Sequence, residues 1–221
     1  MSTSFITISP TTGTGGATLS ISGSAYTGRN SRSASFSLNG TAGDDTPVPS
    51  ANSLVVTQSG AAEFISLSTT SSTSSFPAAG GDITFSGTSN LEKIKLAFGN
   101  DASSSDFTSA SINNGTAITT VSSFTSGDGY TSNLGTDAAY SVSFTFHIPT
   151  NTDSSDGKTY KYKFTVGSST YDVTVNQSAA SAYTLAFSSS TATVNADGTL
   201  TSPSSVSVSA DSGLTWAITP Q

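Results

Sequence analysis

Residues 140–148 read Tyr-Ser-Val-Ser-Phe-Thr-Phe-His-Ile, and this stretch decides the fold class. Tyr140, Val142, Phe144, Phe146 and Ile148 alternate with Ser141, Ser143, Thr145 and His147. A period of two is that of a strand with one face buried, because successive side chains leave opposite faces. The next apolar stretch repeats the pattern: Tyr160, Tyr162, Phe164 and Val166 alternate with Lys161, Lys163 and Thr165. Between them, 150–157 is polar and ends on an Asp-Gly turn signal. Gly167-Ser168-Ser169 then turns the chain into a further strand at 170–175. The spacing predicts a three-stranded meander whose aromatic residues share one face of adjacent strands.

Outward from this meander the same signal recurs. Strands are expected at 4–8, 17–22, 32–38, 53–57, 63–67, 82–86, 92–98, 117–122, 183–187, 191–195, 204–209 and 214–219. Stretches 39–52, 68–80 and 99–110 are rich in Ser, Thr, Gly, Asp and Pro and read as loops. No window carries helical periodicity with caps. Many short strands with turn chemistry between them read as all-β, in immunoglobulin-like sandwiches.

Composition narrows the function classes. Charged residues are 10% of the 221, and the formal net charge is −7 with only 7 Lys+Arg. Nucleic-acid binding needs a basic stripe that displaces counterions, and recruitment to an anionic membrane needs a polybasic segment. Neither is present, so neither partner is expected. The chain has no cysteine, which removes disulfides, thiolate metal sites and cysteine nucleophiles. No run of 18 apolar residues occurs. The start Met1-Ser2-Thr3-Ser4-Phe5-Ile6 lacks a basic n-region and an apolar h-region, so synthesis in a cytoplasm without signal-peptide export is expected.

Two segments end alike. Ser53-Leu54-Val55-Val56-Thr57-Gln58-Ser59 and Tyr171-Asp172-Val173-Thr174-Val175-Asn176-Gln177-Ser178 are alternating strands that close on Gln-Ser. Small residues follow each, and then a fresh apolar strand begins, Phe64-Ile65-Ser66-Leu67 or Tyr183-Thr184-Leu185-Ala186-Phe187. These are read as tandem junctions that divide the chain into 1–62, 63–180 and 181–221.

The junction strands resemble the BACON family, immunoglobulin-like bacterial domains whose last strand ends in Val-Thr-Gln. Ile6-Thr7-Ile8-Ser9-Pro10 through Gly15-Gly16-Ala17-Thr18-Leu19-Ser20-Ile21, then Arg29–Phe36 and Thr57-Gln58, is similar to the second half of that pattern. Phe76-Pro77-Ala78-Ala79-Gly80-Gly81-Asp82-Ile83 resembles the family's early Gly-Gly strand, although the middle unit lacks the Trp. Leu185–Pro220, with Gly213-Leu214-Thr215-Trp216-Ala217-Ile218-Thr219, is similar to the first half. The resemblance implies an immunoglobulin-like fold and, from the family's name, carbohydrate binding, mucin glycans in particular. Such domains also occur in virion proteins of tailed phages of gut bacteria.

Residues that could carry chemistry are few. His147 is the single histidine and alternates outward; a metal site or a triad needs partners that the sequence does not place beside it. Asn151, Asp153 and Asp156 could offer oxygen ligands to calcium, but they miss EF-hand spacing and the turn already explains Asp-Gly. Asp101 with Asp106, and Asp44 with Asp45, read the same way. Glu63 and Glu92 are the only glutamates and stand near strand starts; they single out no glycosidase pair. No catalytic residue, cofactor site or metal site is expected. Trp216 is read as core. Tyr26 and Tyr130, in polar Gly-flanked loops, are the expected exposed aromatics for surface contacts. Asn39, Asn114 and Asn176 match the glycosylation sequon, as chance allows in so Ser/Thr-rich a chain.

The expected function is a non-enzymatic structural virion protein, such as a capsid decoration or auxiliary protein of a bacteriophage. Its partners are then other virion proteins or copies of itself. The alternative is a carbohydrate-binding module of an exported bacterial protein, extracellular or on the cell surface, binding host or mucin glycans. Because 1–62 and 181–221 each carry part of the family pattern, the two ends are expected to complete one sandwich, within one chain or between neighbours.

Overall fold

The computed structural model describes residues 5–132, 134, 138–167, 169–211 and 214–220. Ser4 of the first expected strand, Ser168 of the turn after 166 and Gly213 before Trp216 lie outside the described residues. The fold is all-β and built from antiparallel sheets, as the alternation predicts.

The chain opens with two hairpins. β1 (Ile6–Ser9) pairs with β2 (Ser20–Gly23), and β3 (Arg32–Thr41) pairs with β4 (Pro47–Gln58). The second hairpin runs on through 39–52, expected as loop, because its Pro and Gly residues sit on a two-stranded ribbon where unpaired edges tolerate them. Ile6, Ile8 and Phe36 form a small buried cluster between the hairpins.

The centre is a sandwich. Its strands are β5 (Ile65–Ser68), β6 (Gly81–Ser89), β7 (Lys93–Asn100), β8 (Phe107–Ile112), β9 (Tyr130–Thr131), β10 (Tyr140–Ile148), β11 (Lys158–Val166) and β12 (Ser169–Gln177). One sheet has the order β5-β6-β10-β8 and the other β12-β11-β7-β9. The expected meander is therefore not one sheet: β10 and β11 lie in opposite sheets. The long polar stretch between them crosses from one layer to the other, where a two-residue turn would have kept the strands side by side. Their aromatic faces meet across the sandwich, with Phe144 and Phe164 ring centroids 4.7 Å apart and Phe146 and Tyr162 stacked at 3.8 Å. Tyr140, Val142, Phe144, Phe146, Tyr162 and Phe164 are all buried. Each large apolar side chain so placed contributes about 1.5–3 kcal/mol of transfer free energy.

Two core elements come from stretches with no strand signal. β8 falls partly within 99–110, expected as loop, and supplies Phe107, Ala110 and Ile112 to the core. The expected strand at 117–122 shrinks to a single bridge between Ala110 and Ile118, followed by a short helical turn, α1 (Ser122–Thr125). That turn drops Phe124 into the core against Phe107, Tyr130 and Phe144.

β6 and β10 run the length of the sandwich and define its ends. At the near end Tyr140 lies opposite Ser89, and at the far end Ile148 lies opposite Gly81. The first hairpins join at the near end, through Glu63, Phe64 and Asn90. The chain leaves β12 at the far end, where the Gln177 amide donates to the carbonyl oxygens of Pro149 (2.8 Å) and Ala78 (3.2 Å).

After the sandwich, β13 (Leu185–Phe187) pairs with β16 (Val208–Ala210), and β14 (Thr193–Val194) pairs with β15 (Leu200–Ser202). No described residue from 181 to 220 is buried. Trp216, expected in a core, is 47% exposed, and 214–220 forms no strand. Among the described residues, Trp216 borders an open hollow with Leu185, Phe187 and Val208.

Candidate binding surfaces

The near end is a polar joint organised by Asn90, which is 2% exposed. Its side-chain oxygen accepts from the Phe64 N–H at 2.9 Å, and its amide donates to the carbonyls of Thr27 (2.9 Å) and Ala62 (3.0 Å). One short side chain thus closes three backbone groups from two segments, as a buried amide must. Beside it, Arg29 meets Glu63 at 2.8 Å and Glu92 at 3.4 Å. The only two glutamates do come together, on one guanidinium that fastens the first hairpins to the sandwich. Sequence spacing had no means of pairing residues 34 and 63 positions away from Arg29.

A cleft of about 350 Å³ adjoins this joint, lined by Arg29, Glu63, Glu92, Lys93, Lys95 and Asp128. Its cations are engaged within it: Lys93 with Asp128 at 2.7 Å, and Lys95 donating to the Gly127 carbonyl at 2.7 Å. The Lys93 ammonium holds Asp128 below the usual carboxylate range, and Asp128 raises Lys93 in return. The cleft has opposed charges already paired, which suits a joint more than a ligand.

The remaining polar candidates serve local structure. Asp153 Oδ1 accepts from the Ser155 hydroxyl and from the N–H groups of Ser155 and Asp156; these bonds, the hydroxyl first, lower its pKa. That is a turn built by a side chain mimicking backbone. Asn151 donates to the Asp156 and Ser178 carbonyls, tying the same loop to the exit of β12. Asp106 is buried and accepts from Ser103 N–H, Ser103 Oγ and the Tyr162 hydroxyl. Asp101 accepts from Thr159 N–H at 2.7 Å, and Asp44 from Thr46 N–H at 3.1 Å. His147 stands exposed on β10 with Nδ1 2.6 Å from Asp82 across the strand pair.

Both expected contact tyrosines are half-buried and stand on separate elements. The Tyr26 ring is covered by the Arg32 guanidinium 4.0 Å from its centroid, and Arg32 also lies 4.3 Å over Phe5. Tyr130 belongs to β9 and stacks on Phe124 at 5.2 Å.

Exposed surface of another kind is abundant. Between the first hairpins an apolar cleft of about 230 Å³ opens beyond the buried cluster, lined by Ile8, Leu19, Phe36, Leu38 and Leu54 among others. Leu38 is 74% exposed, though its neighbour two residues back, Phe36, is buried. On the last hairpins, Leu185, Phe187, Val208, Trp216 and Ile218 line a second apolar hollow of about 230 Å³. Pairing sets Leu185 opposite Ala210 and Phe187 opposite Val208, so these side chains share one face.

The class defined by this architecture is the tandem immunoglobulin-like β-sandwich. Residues 2–59 match the family model of BACON, described as a putative binding domain, N-terminal, and that segment is a BACON-family domain. The match spans the first two hairpins, β1–β2 and β3–β4. No curated protein matches the chain.

Proposed function

We propose that the protein is a non-enzymatic binding protein that works by association, and that its setting is a virion, as a decoration or auxiliary protein. The units 1–62, 63–180 and 181–221 act as successive modules in this reading. The observation that carries it is the apolar surface left open on both terminal hairpin pairs, beside polar residues already engaged in turns and ion pairs. Apolar patches of this kind mark association surfaces in soluble proteins. The low-charge Ser/Thr exterior suits a crowded surface, where long-range fields would repel like neighbours.

A carbohydrate-binding module is the second reading, favoured by the BACON match over 2–59. Sugar modules stack rings on exposed aromatics, and Trp216 at 47% and Tyr183 at 73% are available for that. Co-sedimentation with purified particles, run beside a mucin-glycan array, separates the two. Particle binding without glycan binding supports the virion role. Glycan binding without particle binding replaces it. Ala at His147, Glu63 and Glu92 should leave either kind of binding in place; a hydrolase activity abolished by these changes would overturn the non-enzymatic reading.

A further inference from the structure

Every lysine of the chain falls on two neighbouring strands of the central sandwich. Lys93 and Lys95 are on β7, and Lys158, Lys161 and Lys163 are on β11. Ile94, Leu96, Tyr160, Tyr162 and Phe164 fill the core from these strands, so Lys93, Lys95, Lys161 and Lys163 alternate to the outer face. Pairing then sets them in rows. Lys161 lies opposite Gly99, Lys163 opposite Ala97, Thr165 opposite Lys95, and Lys93 opposite Thr131. Four successive rows therefore hold one lysine each, first on β11 and then on β7. Rows two residues apart are about 6.6 Å apart, so the stripe runs about 20 Å. No run along the sequence shows it, because strand pairing assembles it.

The stripe lies open. Thr174 and Thr170 flank its β11 rows, and the lysine stems lie over bare backbone: Lys163 Cε and Lys161 Cδ are 3.5 and 3.8 Å from where a Cβ of Gly99 would stand. Two carboxylates share the face, Asp128 at 2.7 Å from Lys93 and Asp172 at 3.6 Å from Lys161. Exposed pairs of this kind contribute about 1 kcal/mol or less, so an incoming anion can replace either acid. Lys95 donates to the Gly127 carbonyl, which does not neutralise it, and Lys163 has no ion pair among the described residues. At the near end Glu63 and Glu92 are turned to Arg29, and at the far end Asp101 accepts from Thr159 N–H. Four lysines against two aspartates leave this face positive in a chain of net charge −7. The opposite sheet turns out hydroxyls instead: Thr84, Ser86 and Thr88 on β6, and Ser141, Ser143 and Thr145 on β10.

The form of the stripe selects its partner. One lysine wide and four rows long, it fits a linear polyanion; a flat anionic membrane would meet the flanking acids as well. Single-stranded nucleic acid is held by aromatic stacking besides cations, and the outward positions of β7, β11 and β12 carry no aromatic. Peptides are held along strand edges or in side-chain pockets, whereas this stripe crosses β11 and β7, the inner strands of the order β12-β11-β7-β9. An acidic polysaccharide needs neither device: its separated charges meet compact ammonium groups, and its hydroxyls meet those of the threonines. We propose that the lysine stripe of the sandwich binds a linear acidic polysaccharide, sulfated or carboxylated. This rests on the reading of the protein as one that works by association, and it places the contact outside 2–59 and away from the apolar hollows.

The test uses the full-length chain and immobilised heparin, with binding measured at several salt concentrations. The parent should bind at low salt and weaken linearly on logarithmic axes as salt rises. Lys161→Gln with Lys163→Gln should lower that slope by about two, roughly one for each cation removed. Lys158→Gln, opposite Gln177 at the far end and outside the stripe, makes the same kind of charge change and should match the parent. Asp172→Asn should bind more tightly, a gain that loss of the fold cannot produce. The inference is overturned if heparin does not retain the parent, if Lys158→Gln weakens binding as much as the change at Lys163, or if Asp172→Asn brings no gain. Oligothymidylate, polyglutamate or phosphatidylserine vesicles bound as tightly as heparin would also overturn it. Particle association that persists without heparin binding would remove this inference alone and leave the functional reading standing.

Discussion

The ring of Tyr162 on β11 lies flat against that of Phe146 on β10, with planes 13° from parallel, and these two residues belong to opposite sheets. The contact joins the layers at mid-core, and the Tyr162 hydroxyl reaches past it to Asp106 at 3.3 Å. Truncating the neighbouring Phe144, fully buried between Phe124 and Phe164, should cost about 3–5 kcal/mol in denaturant unfolding. A loss within experimental noise would mean that the layers do not pack through these rings.

Alkaline stability should be set by buried phenols. Burial first, then the Asp106 charge and the hydrogen bond to it, push the Tyr162 hydroxyl far above its ordinary value; burial also raises Tyr140 and Tyr160. Tyrosines of the unfolded chain ionise near pH ~10. The folded protein therefore keeps protons that the unfolded chain releases, and this contribution is full below that pH and is lost progressively as pH rises from there toward the raised values of the folded state. Of the seven tyrosines, Tyr140, Tyr160 and Tyr162 should develop tyrosinate absorbance only as the protein unfolds. Tyr162→Phe should flatten the alkaline fall in stability. Reversible titration of every tyrosine in the folded state would contradict this.

Asn90 should matter more than the ion pairs beside it. Asn90→Ala leaves the Phe64 N–H and the Thr27 and Ala62 carbonyls without their partner, at a cost of about 1–3 kcal/mol. Removing the Arg29 pairs to the more exposed Glu63 and Glu92 should cost about 1 kcal/mol or less. Limited proteolysis should cut Asn90→Ala faster than the parent between 59 and 65. Equal cutting rates would show that the joint is held elsewhere.

Gly87 marks a backbone crossing that tolerates no side chain. A Cβ there would stand 1.8 Å from the Ser66 carbonyl oxygen on β5. Gly87→Ala should detach β5 from the sheet, seen as faster hydrogen exchange at Ile65–Ser68 with β10 still protected. Unchanged exchange would place β5 differently.

The sequence was most legible where alternation is strict. β10 is buried at every second residue from Tyr140 to Phe146, and that period needs no tertiary information to read. What was lost is which strands are neighbours, because period two fixes a face and not a sheet. β8 escaped because a register shift near Phe146 breaks its period, leaving Phe107, Ala110 and Ile112 at uneven spacing in a Ser-rich stretch. Phe124 escaped because one helical turn is too short to show a period. The candidate surfaces were legible only in part. Trp216 looks like core by residue type, and its exposure depends on the absence of a covering layer, which no local pattern records. The Arg29–Glu63–Glu92 joint depends on chain reversal that brings distant segments together.

Trp216 gives the most direct measurement, since it is the single tryptophan and sits on the C-terminal apolar face. Its emission should be recorded on the full-length chain across a wide concentration range, and again with purified particles present. Association through that face predicts emission near that of a water-exposed indole at high dilution, shifting to the blue as the face is covered. Emission that stays the same at every concentration and with particles present would contradict a protein that works by covering its exposed apolar surfaces.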